Sequence, residues 1–207
     1  SFPQARVGLE FTEDKPGGKT AISFTGDDID IAQAGNVCLN LLGSNEVVRE
    51  LFDILRGGTA RAVTVGFTSK TLDTLFDGEN LFLTGSAENG LVKIPETPLI
   101  AQGVNGDAVL EKGVLHIKAR KGQVSNTLIK EGWLDIDLLN YEDIPFKGEF
   151  NLHSDLSTLP EVLISLLPKT LLARELARVK DVVGKTDALL KLGMESMQED
   201  LLVEVRA

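Results

Sequence analysis

Asp27, Asp28 and Asp30 stand almost side by side, and carboxylates at that spacing are what a hard cation such as calcium asks for. A calcium-loop frame begun at Asp28 needs Gly at its sixth position and Glu at its twelfth, but Gln33 and Leu39 occupy them. The three acids read instead as the wet side of an alternating strand that includes Ile29 and Ile31. Gly18-Lys19-Thr20 ends like a phosphate-binding loop. That loop requires a glycine where Glu13 stands and a helix where alternation predicts a strand. His116 and His153 both fall on the polar parity of alternating segments. Zinc needs three or four ligands, so both read as lone surface histidines. Cys38 is the single cysteine, which excludes an internal disulfide and reads as a small core residue. His-Glu-x-x-His, Gly-x-Ser-x-Gly and a dinucleotide fingerprint are all missing from the sequence. The expectation is a protein without catalytic residues, metal or cofactor.

One charged segment stands out. Between Lys169 and Lys191 the cations are Lys169, Arg174, Arg178, Lys180, Lys185 and Lys191, against Glu175, Asp181 and Asp187. Its simplest reading is a solvated helix face. Its functional reading is contact of Arg174, Arg178, Lys180 and Lys185 with anionic lipid head groups, where each cation contributes about 1 kcal/mol. The chain as a whole carries a formal net charge of -10, which argues against nucleic acid as a partner.

These residues are carried by short alternating segments. Leu115, Ile117 and Ala119 alternate with His116 and Lys118; Leu134, Ile136 and Leu138 alternate with Asp135 and Asp137; Phe146, Phe150 and Leu152 alternate with Lys147, Glu149, Asn151 and His153. Period two places one face in a core and one in water. Segments this close, with no helix between them over 87–139, run as an antiparallel meander. Upstream, Ala5–Glu13 and Thr20–Thr25 read as a hairpin. Further strands are expected over Val37–Leu42, Thr59–Phe67 and Asn80–Ser86, with a short helix over Ser69–Phe76 and closing strands over Lys185–Leu192 and Leu201–Arg206.

Two longer helices are expected, over about 44–57 and 158–183. Ser44 is placed to cap the first, Gly57-Gly58 to stop it, and Arg49 to pair with Asp53. Thr158 and Glu161 fit a capping box for the second. Pro168 lies inside that helix and predicts a break near Leu167, since an interior proline costs about 3 kcal/mol. The fold class is therefore α+β and β-rich: a curved antiparallel meander partly covered by two amphipathic helices. The chain reads as one module over 1–207, with a weak strand–helix–strand repeat over 37–86 and 146–206.

The run Gly90-Leu91-Val92-Lys93-Ile94-Pro95, Gly103-Val104-Asn105-Gly106, Lys112-Gly113-Val114-Leu115 and Gly132-Trp133-Leu134-Asp135-Ile136 resembles the C-terminal repeats of AsmA-like proteins. These are bacterial envelope proteins related to repeating-β-groove lipid-transfer proteins. The resemblance implies a non-enzymatic module of a membrane-anchored protein on the periplasmic side of the inner membrane of a Gram-negative bacterium. It also implies an apolar sheet face that carries a phospholipid or fatty acyl chain, drawn here from Leu115, Ile117, Leu134, Ile136, Phe146, Phe150 and Leu152. The parent chain would continue at an open sheet edge. The alternative is a scaffold domain whose helices close the face and whose edge strand binds protein partners, without lipid.

Overall fold

The computed structural model describes residues 4–11, 19–95, 97–140, 144–166, 171–178, 182–194 and 202–206. Ten strands lie in strict sequence order in one antiparallel sheet: β1 (Gln4–Phe11), β2 (Thr20–Asp30), β3 (Leu55–Ser69), β4 (Leu81–Lys93), β5 (Ile100–Glu111), β6 (Val114–Val124), β7 (Thr127–Asp137), β8 (Phe146–Asp155), β9 (Lys185–Met194) and β10 (Leu202–Arg206). The protein is thus β-rich α+β, a curved meander partly covered by helices. Register follows the alternation. Leu110, Leu115, Ile136, Phe146 and Met194 face one another across β5–β9 as one buried row. Lys112-Gly113 joins β5 to β6 in two residues, both at positive φ (50° and 77°), the backbone of a tight hairpin turn. A Cβ on Gly113 would collide with Leu139, which folds back over the turn.

Four α-helices are described where two longer ones and a short one were expected. They are α1 (Ile31–Leu42), α2 (Glu46–Ile54), α3 (Leu159–Leu166) and α4 (Leu171–Leu176). Each pair joins an even strand to the next odd one, so in a meander both pairs emerge from the same end of the sheet. Val47, Val48, Leu51 and Ile54 of α2 and Val162, Leu163 and Leu166 of α3 enter one core with the strand residues. Both pairs therefore cover the same face.

The strand expected at Val37–Leu42 is the second half of α1. Asp30 caps it, its carboxylate accepting the Gln33 N–H at 2.9 Å. Gly35 of α1 sits against the Phe52 ring of α2, closer than a Cβ would allow, so α1 is held by packing. The recurring plan is thus a long strand, two helices and a returning strand, and residue 37 does not open a repeat. The cap of α2 is Asn45 and not Ser44, with its Oδ1 accepting the Val48 N–H at 3.2 Å. This helix ends at Ile54, before Gly57-Gly58, which lie inside β3. Arg49 pairs with Glu46, and Asp53 pairs with Arg56 and Lys93.

Past Ser69, which ends β3, residues 70–76 form bends and turns and no α-helix, followed by a single 3-10 turn at Gly78–Asn80. The expected capping box is not made: the Thr158 hydroxyl donates to the Asp155 carbonyl at 3.0 Å. The long helix to 183 is not continuous, because α4 ends at Leu176 and Val183 is non-helical and 90% exposed. The proline break itself falls on 167–170, outside the described residues.

The buried row sets the stability. Ile136→Ala should lower the unfolding free energy by about 2–5 kcal/mol. Leu41→Ala, on the exposed side of α1, should change it by less than about 0.5 kcal/mol. Urea denaturation followed by circular dichroism measures both; a large loss at Leu41 would contradict the helical assignment of that segment.

Candidate functional site: the roofed apolar face

All seven residues expected on the lipid-contact face share one side of the sheet and are buried: Leu115 and Ile136 fully, Leu134 and Phe146 at 3%, Leu152 at 5%, Ile117 at 7% and Phe150 at 8% exposure. Their type and parity put them there; α2 and α3 put a roof over them. A cavity of about 40 Å³ remains beneath α3. Ile117, Leu134, Phe150 and Leu152 line it, while Leu115, Ile136 and Phe146 lie in the same face outside its wall. Val162 and Leu166 close it from above, and Val92, Val104 and Val124 flank it. Alternation in β4, β5 and β6 could have disclosed the flanking valines. Nothing local in the sequence ties Val162 to them.

Of the lining residues, Thr127 alone carries a polar side chain. Its hydroxyl is 2.8 Å from that of Ser154, and both residues are buried. The space therefore offers an occupant neither charge nor a free hydrogen-bonding group, so its chemistry is restricted to apolar contact. About 40 Å³ exceeds the room one water needs but falls well below the cavity of about 150 Å³ that holds a benzene. As it stands, the roof leaves no room for an acyl chain.

The expected head-group cations are dispersed. Arg174 is exposed on α4, and Arg178 just beyond it is 75% exposed and bonded to Glu175 at 2.9 Å. Lys185 is exposed at the start of β9, opposite Asp155 in register. Lys191 lies on the polar face of the sheet, paired with Glu149 at 3.1 Å. Lys169 and Lys180 lie outside the described residues.

The remaining chemistry-bearing residues are used locally. Asp28 pairs with Arg61, which also holds Glu88 at 2.7 Å; Glu88 and Asp28 together raise the guanidinium pKa, and Arg61 in turn lowers that of Glu88. The acidic trio lies in β2, as the strand reading expects; within it Asp30 also caps α1, and Asp28, at a φ of 55°, pairs with Arg61. Neither histidine is alone: His116 Nδ1 is 2.8 Å from Asp135, and His153 Nδ1 is 2.8 Å from Asp187. Burial pushes the Cys38 thiol pKa up, which keeps it protonated and unreactive. Among the described residues, no helix is long and apolar enough to cross a membrane.

Two measurements follow from these contacts. Ser154→Ala strands the Thr127 hydroxyl and should cost about 1–3 kcal/mol, and adding Thr127→Val should recover most of it. A double-mutant cycle with simple additivity would mean the pair is not coupled. At Asp187, hydrogen bonds from Lys130 and then His153 hold the carboxyl below its ordinary 3.8. A depressed carboxylate pKa is stability present above 3.8 and lost as pH falls through the lower folded value. Asp187→Asn should therefore lower the thermal midpoint at pH 7 by about 1–3 °C, and the difference should vanish near about pH 2. A gap that persists in acid would mean the pairing is not the source.

Compared with known proteins, the chain matches no family profile, no curated protein and no solved structure.

Proposed function

We propose that this chain is a non-catalytic, AsmA-like lipid-handling module whose apolar sheet face receives an acyl chain when α3 and α4 lift from it. The observation that supports this reading is the cavity beneath α3, walled by apolar side chains from β4 to β9 and without an unsatisfied polar group. Such a wall selects for hydrocarbon and against any polar substrate. Helices of eight and six residues are too short to be stable on their own. Val162, Leu163, Leu166 and Ala173 are the buried side chains described in this roof. Removing it exposes a trough running across six strands, with Arg174, Arg178 and Lys185 as the cations proposed to meet a head group. In this reading the parent protein sits at the periplasmic side of the inner membrane and continues the sheet at an edge strand.

The packed state favours a second reading. A face with about 40 Å³ unfilled is close to a finished core, and the module would then be a scaffold that binds protein along β1 or β10.

Native mass spectrometry, after incubation with phosphatidylglycerol–phosphatidylethanolamine vesicles and removal of the vesicles, separates the two. The lipid reading expects one bound phospholipid or fatty acid per chain, confirmed by solvent extraction. It also expects at least a tenfold loss of occupancy in Ala119→Val, which fills the cavity without removing a contact. A bare protein mass would favour the scaffold reading for this chain, and occupancy indifferent to Ala119→Val would overturn this face as the lipid site.

A further inference from the structure

The opposite, polar face of the sheet holds a second concavity. Strands β5–β8 line an open hollow of about 800 Å³, within the range of about 300–1,000 Å³ typical of small-molecule sites. Its floor follows one cross-strand row, Asp107–Lys118–Trp133–Glu149. Trp133 is the only tryptophan in the sequence, and it is 39% exposed in the middle of that row. An indole left open to water at the centre of a polar floor is an unfilled contact surface.

Several polar groups around it are bonded to one another. Arg120 bonds Asp107, His116 bonds Asp135 at 2.8 Å, and Asn151 donates to Glu131 at 3.0 Å. The lining cations are Lys118, Arg120 and Lys130, three against the four carboxylates of Asp107, Glu131, Asp135 and Glu149. The hollow thus has many fixed donors and acceptors and little net field. A strongly charged ligand would have to break existing pairs. A peptide strand has no purchase either, because these are interior strands whose backbone groups are paired on both sides. Phosphate-bearing nucleic acid is opposed by the chain's net charge of -10. No serine, threonine or cysteine lines the hollow, so it has no side-chain hydroxyl or thiol nucleophile.

We propose that this hollow binds a neutral oligosaccharide, with one sugar ring stacked on Trp133 and its hydroxyls bonded to the paired side chains around it. A pyranose ring presents an apolar C–H face, which suits the indole, and a rim of hydroxyls that both donate and accept. Arg120 and Asp107 neutralise each other, and the paired Arg, Asp, Glu and Asn side chains retain free donor and acceptor sites for that rim. The proposal does not depend on the lipid reading, because it uses the other face.

Trp133 is its own probe. The full chain is titrated separately with cellotetraose and with the tetramer of N-acetylglucosamine, each to about 10 mM, while its single-tryptophan emission is followed. At least one sugar should produce a saturable blue shift with a dissociation constant below about 5 mM. By calorimetry, Trp133→Ala should weaken that binding at least tenfold while circular dichroism shows the fold retained. Should that variant fail to fold, Lys118→Ala is read in its place, with a loss of at least threefold expected. Val162→Ala, in α3 over the apolar face and outside the hollow, should leave the sugar affinity unchanged. No saturable response to either sugar overturns the proposal, as does equal affinity in the folded Trp133→Ala or Lys118→Ala variant.

Discussion

The structure depends on one constraint: a single-layer sheet with one apolar face must cover that face. The period of two in β4–β9 delivers leucine, isoleucine and phenylalanine to one side, in rows that continue from strand to strand. A fully buried side chain of this kind contributes about 1.5–3 kcal/mol, so the face could not remain open to water without loss of most of the driving force for folding. The meander itself gives no second sheet to pack against. The cover must come from inserted helices, and it does.

The geometry of a meander decides where such helices can be inserted. Both helix pairs leave from the end where even strands finish. Each pair is a there-and-back excursion. Asn45, at the turn between α1 and α2, donates its side-chain amide to the Phe76 carbonyl at 2.8 Å, and Val47 packs on Gly78. The α1–α2 turn is thereby fixed to the β3–β4 connection at the far end of the sheet. Among the described residues, α3 is held by the burial of Val162, Leu163 and Leu166. Among the described residues the two covers differ in kind: one is anchored by a polar contact at its tip, the other is held by apolar side chains of α3.

This difference also explains what was legible in the sequence. The strands from Leu81 to Met194 were readable because alternation there is a direct image of a half-buried sheet, and the face residues from Leu115 to Leu152 followed with it. The helix α1 was not. Val37, Leu39 and Leu41 alternate with Cys38 and Asn40 and imitate a strand, yet these three point outward. What makes the segment helical is the Asp30 cap and the fit of Gly35 to Phe52, the second of which is tertiary. The helix expected at Ser69–Phe76 failed for the converse reason. The hydroxyls of Ser69, Thr71 and Thr74 bond one another at 2.6 and 2.8 Å, and Asn80 and Asn45 take the Thr74 and Phe76 carbonyls. Local side-chain bonding of this sort competes with the helix ladder. The cavity was legible only as a face, because its roof depends on where α3 lands. The polar hollow was invisible, because the same alternation that marks a residue as wet says nothing about whether wet residues converge.

A single layer has one curvature, and its two faces share it. Trp133 lies between Gly132 and Leu134 in β7, so the indole on the polar side and the Leu134 side chain on the cavity wall hang from adjacent α-carbons. Side chains on opposite faces do not touch, and a conservative change on one face leaves the other's contacts intact. Backbone bending is different. A sheet that opens its apolar side to admit a chain beneath α3 brings the side chains of its polar side closer together, and one that flattens over an occupied polar hollow tightens the apolar side. The interior strands of the meander transmit such bending because every one of them is paired on both edges. Position 133 therefore reads the curvature of the whole module as well as the contents of its own hollow.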